Sequence, residues 1–345
     1  MHLGARPDAG RLYSARRGTE IWESFRKLIG ICEREKPDLL LIAGDLFHRQ
    51  PLKGELKEVD ALFASLRNTK IVLIAGNHDY IKRDSYYLSF PWSRHVHMLS
   101  GESMEVLEFP SIETAVYGLS YHAKQVREPL YDTAYPQKRQ KVEILLAHGG
   151  DAEHIPVSRE RLRELGYDYV ALGHIHRPQI LIPDMAAYAG ALEPTDSNDT
   201  GPHGYIKGEI LKGRTRFTFM PFASREYIHC EIEVDRKTTG AELRKQISNE
   251  IEKRGIQNIY KFLLKGYRDP DVLFDPDSMD PLGNVIHIAD ETKPFYDMEK
   301  LYRNNRNNLI GKYIESFADA EEHSVEYAAL CQGIRALMET RRGAE

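Results

Sequence analysis

Four short segments of the chain carry side chains able to hold metal ions: Gly44-Asp45-Leu46-Phe47-His48, Gly76-Asn77-His78-Asp79, Ala147-His148-Gly149-Gly150 and Gly173-His174-Ile175-His176. Each follows a short apolar run, at 39–42, 71–74, 144–146 and 169–172. An apolar strand ends, a small residue turns the chain, and an oxygen or imidazole ligand appears. An α/β sheet builds a site in this way, at the carboxyl ends of its strands. The ligand types are Asp, Asn and His without Cys, which suits Mn²⁺, Fe²⁺ or Zn²⁺ near water more than a structural thiolate zinc. Asp45 has two oxygens and a negative charge, and so suits a bridge between two cations. Asn77 offers a neutral oxygen, and His148, His174 and His176 offer imidazoles. Two metals about 3.5–4 Å apart polarise a phosphoryl group and lower the pKa of a bound water. His78, next to Asn77, is placed to give a proton to a leaving alkoxide. Each piece alone has a plainer reading. A single Gly-Asp after a strand is usually a turn, and a single Gly-Asn-His-Asp or Gly-His-x-His can be a loop before a capped helix. All four in this order, each after a strand, point to a bimetal phosphoesterase site.

The elements that must position these residues are readable from periodicity. Ile21, Phe25, Leu28, Ile29 and Cys32 recur at helical spacing over 19–35, with Pro37 just beyond. A second amphipathic helix is expected over 56–66. Strands are expected at 38–43, 70–75, 143–147 and 168–172, each leading into a ligand loop, with further short strands between 96 and 121. Segments near 179–182, 186–189, 205–211 and 216–221 read as a closing antiparallel run. After Phe222 the pattern changes to strand 227–234, charged helix 241–253 and strand 260–266, with no ligand cluster. The stretch 269–280 is rich in Asp and Pro and reads as loop; the tail from Leu301 reads as helical. The expected organisation is a catalytic domain over 1–222, a small α+β domain over 223–300 and a helical tail over 301–345. Arg11, Arg16 and Arg17 read as a solvated face, with contact to a substrate phosphate the sharper alternative.

Composition limits the function classes. Hydrophobic residues make up 41% and charged residues 29% of the 345, ordinary for a soluble globular protein. The three cysteines, Cys32, Cys230 and Cys331, are odd in number and widely spaced. They make no disulfide framework, which favours a reducing cytoplasm. No apolar run approaches the ~20 residues of a membrane span, and the first residues do not read as a signal peptide. The net charge of −5 supplies no global positive field for nucleic acid. Attraction to DNA would have to be local, come from metals or be supplied by a partner.

The order GD, GNH, a single H and GHxH resembles the calcineurin-like metallophosphoesterases over roughly residues 1–220. More narrowly the chain is similar to the SbcD-type nucleases. Gly44-Asp45-Leu46-Phe47-His48 ends in His, where the protein-phosphatase branch carries Asp, and Tyr188-Ala189-Gly190-Ala191-Leu192-Glu193-Pro194 resembles the YPGS-x-E segment of the nucleases. The resemblance implies a four-layer α/β fold, a β-sandwich flanked by helices, followed by a capping domain. It implies that Asp45, Asn77, His148 and His174 hold one metal, and that Asp45, His2 and His176 hold the other. His78 would be the proton donor and His48 its helper. The metal implied is manganese. The substrate implied is DNA, cut as an exonuclease or endonuclease in repair, and the partner implied is an SbcC-like ATPase with a long coiled coil. A homodimer is compatible with the resemblance, and no membrane is implied.

One departure concerns the first motif, a strand leading into D-x-H. The chain opens Met1-His2-Leu3-Gly4, so the His-Leu-Gly is present, while the Asp and its strand are expected to lie ahead of Met1. Asp8 stands too far past His2 to take that place without rebuilding the loop. The alternative is a form that lacks a central strand and one metal ligand. Two other functions compete with the nuclease: a phosphodiesterase or phosphatase on a small nucleotide or lipid-linked substrate, and a non-catalytic scaffold. Tyr327, Leu330, Cys331, Ile334, Leu337 and Met338 form an apolar stripe on the tail, either packed on its own domain or docked into the ATPase partner as a helix in a groove.

Overall fold

The computed structural model describes residues 1–211, 213–321 and 324–342, with the side chains of Glu339, Arg341 and Arg342 outside the description. It divides into two compact units, one of residues 1–228 and 256–259, the other of 229–255 and 260–345.

The first unit opens on helix α1 (Gly10–Glu35), which ends where Lys36 turns left-handed and returns its N–H to the Cys32 carbonyl. Strand β1 (Leu39–Ala43), helix α2 (Lys53–Phe63), strand β2 (Lys70–Ile74), the single turn α3 (Tyr86–Ser89) and strand β3 (Val96–Met98) follow. The three strands form a parallel sheet in the order β1-β2-β3. A second sheet holds β4 (Glu105–Phe109), β5 (Thr114–Gly118), β6 (Val142–His148), β7 (Tyr169–Gly173), β8 (Gln179–Ile182) and β9 (Ala186–Tyr188), ordered β4-β5-β6-β7-β9-β8. Helix α4 (Arg159–Leu165) connects β6 to β7. The hairpin β10 (Gly204–Leu211) and β11 (Arg214–Pro221) completes the unit.

The sheets pack face to face. Val72 and Ile74 of the first meet Val116, Ile144 and Leu146 of the second in one buried cluster. Phe25 and Ile29 of α1 and Leu56, Val59 and Phe63 of α2 cover the outer face of the first sheet. Leu162 and Leu165 of α4, with Tyr131, cover the outer face of the second, which Tyr117 of β5 joins. The architecture is therefore helix–sheet–sheet–helix, the mixed α/β fold expected, with its central strands apolar on both faces. Where an additional inner strand is expected, β1 stands at the edge of its sheet. Its residues line a largely apolar cleft of about 950 Å³, together with residues of β7, β10 and β11.

Three expectations are corrected. The run after β7 is not wholly antiparallel: β9 lies parallel to β7, with β8 returning antiparallel to β9. Helix α1 starts nine residues earlier than the apolar periodicity indicates, at Gly10. The reason is that its buried face is partly polar, built from Arg17, Glu20 and Ser24 as well as Ile21 and Phe25. Arg17 is accordingly not solvated but 0% exposed; Arg11 and Arg16 are exposed.

The second unit contains most of β12 (Tyr227–Val234), helix α5 (Gly240–Arg254), and strands β13 (Ile259–Arg268), β14 (Val285–Asp290) and β15 (Lys293–Pro294). The Thr239 hydroxyl and the Glu242 carboxylate close a capping box on α5, whose Leu243, Ile247 and Ile251 are buried. Strand β14, parallel to β13, is not among the strands expected from periodicity. Helices α6 (Met298–Asn305), α7 (Leu309–Glu315) and α8 (Val325–Arg342) follow. Leu330 and Ile334 of α8 are buried with Ile310 and Ile314 of α7 and Tyr296. The tail stripe thus packs within its own unit, the first of its two readings, through buried Leu330 and Ile334, with Tyr327, Cys331, Leu337 and Met338 partly buried against the same cluster. No helix among the described residues is long and apolar enough to cross a membrane.

Candidate metal centre

The loops that leave β1, β2, β6 and β7 meet at one end of the two sheets. Two glycines make the approach close enough. A Cβ at Gly76 would strike the Asp45 carboxylate and the His148 ring, and one at Gly173 would lie inside the Ala43 carbonyl. Three of the expected ligands have left-handed backbones although none is glycine: His2 (φ 57°), Asp45 (φ 49°) and His174 (φ 89°). Each such residue costs on the order of 1–3 kcal/mol, and persists where its surroundings over-determine it. Here the surroundings are backbone ladders and a buried carboxylate. His2 N–H donates to Asp45 O (2.9 Å), and His48 N–H to Leu3 O (3.0 Å). Asp79 accepts from Gly76 N (2.8 Å), Phe47 N (3.1 Å) and the Tyr87 hydroxyl (2.7 Å), and so ties the first ligand loop to the second. Burial and the nearby Asp45 charge push the Asp79 carboxyl up to about 6.

Asp45 stands at the centre. Its Oδ1 accepts from His78 N–H at 2.9 Å, whereas its buried Oδ2 has no hydrogen-bond partner. On one side, His148 Nε2 lies 3.4 Å from Asp45 Oδ2 and 2.9 Å from Asn77 Oδ1, and His174 Nδ1 lies 3.1 Å from Asn77 Oδ1. On the other side, His2 Nε2 lies 3.8 Å from Asp45 Oδ2. The His2 ring packs 4.6 Å from His176, 4.9 Å from His78 and 5.5 Å from His48. Donor atoms of Asp45, His148 and His174 all fall within 4.8 Å of one another, as do those of His2, His48 and His78. All eight residues expected from sequence therefore share one site. His48 stacks its ring on His78 at 4.8 Å, but the bond to His78 Nδ1 comes from the His48 main-chain carbonyl, at 3.1 Å. Asp8 stays outside, accepting from Gly10 N and the Ser14 hydroxyl.

The electrostatics favour neutral imidazoles beside an ionised carboxylate. Burial pushes His148 down to about 4 against the pull of Asp45. Burial likewise lowers His2, well below its ordinary value, and His174. Burial opposes the Asp45 charge, but His148, His78 and the His78 N–H outweigh it and hold the carboxyl low. Neutral imidazole and ionised carboxylate are the metal-ligating forms.

The site can be tested for fit to a cation. The Nδ1–H of His148 donates to the Ala43 carbonyl at 2.8 Å, so Nε2 presents a lone pair. It takes a long bond from Asn77 N–H (3.4 Å) and otherwise faces two further lone-pair atoms, Asn77 Oδ1 and the unpartnered Asp45 Oδ2. Acceptors turned on one another in a buried place are unfavourable unless a cation lies among them. The residues present fit a divalent metal.

Comparison with known proteins decides the family. The model of the calcineurin-like phosphoesterases matches residues 2–178, half of the chain. The chain belongs to the calcineurin-like phosphoesterase family. Among curated relatives, it is 29% identical over 211 residues to the uncharacterized metallophosphoesterase YhaO of Bacillus subtilis, which covers 57% of this chain and 51% of that protein. It is 31% identical over 191 residues to the DNA double-strand break repair protein Mre11 of Methanocaldococcus jannaschii, 51% of each chain. It is 24% identical over 333 residues to the SbcD component of the SbcCD nuclease of Staphylococcus epidermidis, 84% of this chain and 79% of that one. The chain spans about half the length of the first two relatives.

Within this phosphoesterase site, sequence reasoning misses the groups that hold the ligands in place. Asp79 is in view, as the last residue of Gly-Asn-His-Asp, but its three donors are not. Tyr131, whose hydroxyl accepts from His148 N (2.9 Å) and donates to His148 O (3.1 Å), sits in a loop with no periodicity to single it out. Asp151, 2.8 Å from His174 Nε2, and Asp199, 2.9 Å from His176 Nδ1, lie in polar loops where acidic residues are ordinary.

Proposed function

We propose that the chain is a metal-dependent phosphodiesterase acting on DNA, the nuclease subunit of a repair complex that works with an SbcC-type coiled-coil ATPase. The observation that carries the reading is the convergence of Asp45 Oδ2, Asn77 Oδ1 and His148 Nε2 as lone-pair atoms, with a long 3.4 Å bond from Asn77 N–H to Nε2 and no proton between Nε2 and either oxygen. Asp45, Asn77, His148 and His174 would hold one cation; Asp45, His2 and His176 would hold the second, with manganese, the metal the family resemblance implies, among the cations this oxygen and imidazole set suits. When bound, such a pair supplies Lewis acidity at the phosphoryl oxygen and an acidified water.

The chain's own residues supply the rest. His78 donates Nδ1–H to the His48 carbonyl, so Nε2 is the atom left for the substrate; as general acid the ring would act in its doubly protonated form, passing the Nε2 proton to the departing alkoxide and ending as the neutral Nδ1–H imidazole. The His78 main-chain N–H fixes Asp45 Oδ1, so the carboxylate and the proton donor move as one piece. The His48 ring, stacked on His78 and exposed, limits the ring's rotation on the solvent side. The names of the Mre11 and SbcD relatives support DNA as substrate over a small phosphodiester.

The experiment compares a linear duplex, a DNA hairpin and a chromogenic phosphodiester, each with Mn²⁺ and with EDTA. DNA hydrolysis that needs Mn²⁺ and stops with EDTA is expected. Turnover of the chromogenic ester with no action on either DNA would replace the nuclease reading by a small-substrate phosphodiesterase. No turnover of any substrate, with metal bound, would leave the scaffold.

A further inference from the structure

The two histidines of Gly173-His174-Ile175-His176 use opposite nitrogens. His174 turns Nδ1 to Asn77 Oδ1 (3.1 Å) and Nε2 to Asp151 Oδ2 (2.8 Å). His176 turns Nδ1 to Asp199 Oδ2 (2.9 Å), on a ring that packs 4.6 Å from His2. A neutral imidazole carries one proton, and a carboxylate only accepts. The proton must therefore sit on Nε2 of His174 and on Nδ1 of His176. That leaves the His174 Nδ1 and His176 Nε2 lone pairs as ligating atoms.

Both carboxylates are themselves anchored. Asp151 accepts from His154 Nδ1 (2.9 Å), His154 N (2.9 Å) and Glu153 N (2.8 Å). Asp199 accepts from Thr195 N (2.9 Å), Asp196 N (3.1 Å) and the Thr195 hydroxyl (3.3 Å). Neither side chain is free to follow a rotating ring. We infer that Asp151 and Asp199 are positioning residues, each of which takes one imidazole proton and so fixes which nitrogen its histidine presents to the metal. This rests on the ligand roles proposed above for His174 and His176, but the tautomers themselves do not.

Asp151, His154 and His174 also form a group whose donor atoms lie within 4.8 Å. A cation there would need His174 to give up its Nε2 proton while Nδ1 ligates the first metal. The hydrogen-bonded arrangement avoids that cost, and a carboxylate behind a ligating histidine is the usual partner.

The test reads protons before it reads catalysis. Long-range ¹H–¹⁵N spectra of the chelator-treated, ¹⁵N-labelled full chain at mildly alkaline pH report which ring nitrogen of each histidine carries hydrogen. His174 and His176 are assigned by loss of their signals in His174→Gln and His176→Gln. The wild type should show His174 protonated at Nε2 and His176 at Nδ1. Asp151→Leu and Asp199→Leu should each release the tautomer of their own histidine. Asp199→Asn should retain it, because its amide oxygen stays with Thr195 N and Asp196 N at the atom that faces His176 Nδ1. Asp151→Asn should not, because its oxygen stays with Glu153 N and His154 N and its NH2 turns to His174 Nε2. Calorimetric Mn²⁺ titration should then show about 10–100-fold weaker binding at one site in each Leu variant, recovered in Asp199→Asn. The reverse tautomer at either histidine in the wild type overturns the inference, and needs no variant to fold. A His176 tautomer lost in Asp199→Asn as fully as in Asp199→Leu also overturns it. So does a third equivalent of Mn²⁺ that His154→Ala removes, because Asp151 would then be a ligand. Correct tautomers with no metal bound at all would instead refute the metal-centre reading and leave the positioning geometry standing.

Discussion

Removing the Arg17 guanidinium should destabilise the first unit severely, although Arg17 touches no candidate ligand. Arg17 and Glu193 are both 0% exposed. Arg17 Nη1 and Nη2 each lie 3.1 Å from Glu193 Oε2, and Nη1 also lies 3.1 Å from Glu20 Oε2. Nη2 donates to the Pro194 carbonyl at 3.0 Å. In Arg17→Met, Glu20 keeps Arg225, but Glu193 keeps only the Ser24 hydroxyl (2.6 Å) and Ser224 N–H (2.7 Å). A buried charge stripped of its counter-ion costs about 3–5 kcal/mol, a large part of the ~5–15 kcal/mol that holds a typical domain folded. Because the pair is buried, added salt should rescue little of the loss. Both tryptophans, Trp22 and Trp92, lie in the first unit, so urea unfolding followed by their fluorescence reads this unit alone. The midpoint should fall with an unchanged slope. The double variant Arg17→Met with Glu193→Leu leaves no bare charge at Glu193. It should cost about 2–3 kcal/mol less than the two single changes summed. A loss below about 1 kcal/mol in Arg17→Met, or strict additivity in the double variant, would refute the reasoning.

Four further outcomes follow from the same structure. His78→Ala should lower turnover about 10²–10⁴-fold with metal content by elemental analysis unchanged, whereas Asp45→Asn should lose metal and turnover together; loss of metal in His78→Ala would reverse the two roles. Glu20 is held below the ordinary carboxylate range because its bonds to Arg225 and Arg17 outweigh burial. Its contribution is therefore present above the ordinary glutamate pKa and is lost as pH falls through the lowered value; Glu20→Gln should flatten the acid limb of tryptophan-monitored stability, and an unchanged limb would exclude this carboxylate as a source. Gly173→Ala places a Cβ against the Ala43 carbonyl and should destabilise the first unit by about 1–3 kcal/mol, seen as a lower urea midpoint. Ile334→Ala, at a 0% exposed position packed in the second unit, should cost about 2–5 kcal/mol. Hydrogen exchange over 298–338 reads that loss, and full protection there with lost capture of an ATPase partner would restore α8 as a docking face.

What can be read from sequence and what cannot divides along a physical line. Strand β6 and the ligand His148 are legible because an apolar run, a ligand and two glycines lie within a few residues. The same holds, with one glycine each, for β1 with Asp45, β2 with Asn77 and β7 with His174. The start of α1 is not legible, because the face that packs there is polar. Arg17 is buried by virtue of Glu193, which is 176 residues away, and no local periodicity carries that information. Strand β14 follows a stretch dominated by Asp and Pro, whose turn chemistry masks a short apolar run. The run 179–189 reads as antiparallel throughout because short strands with close turns usually are. Its β9 instead takes a parallel place beside β7, and that places Tyr188 and the Gly190 turn beside the loop of His174 and His176.

The same line runs through the metal centre. Which residues can ligate is a local property, and all eight candidates come from short motifs. How each one points is decided by groups elsewhere in the chain. Asn77 and His78 are held through Asp79 by Phe47 and Tyr87; His148 is held by Ala43 and Tyr131. His174 and His176 are held by carboxylates 23 residues away, Asp151 before them and Asp199 after. The left-handed backbones at His2, Asp45 and His174 belong with this second kind of information: Asp and His enter that region more readily than most residues, but it remains a minority conformation for them. They persist because the pairing of residues 2–3 with 45–48 and the close approach of Gly173 to Ala43 leave the chain no relaxed alternative. On the proposed ligand set, substitutions at Asp79, Asp151, Asp199 and Tyr131 should therefore weaken metal binding while every proposed ligand is still in place.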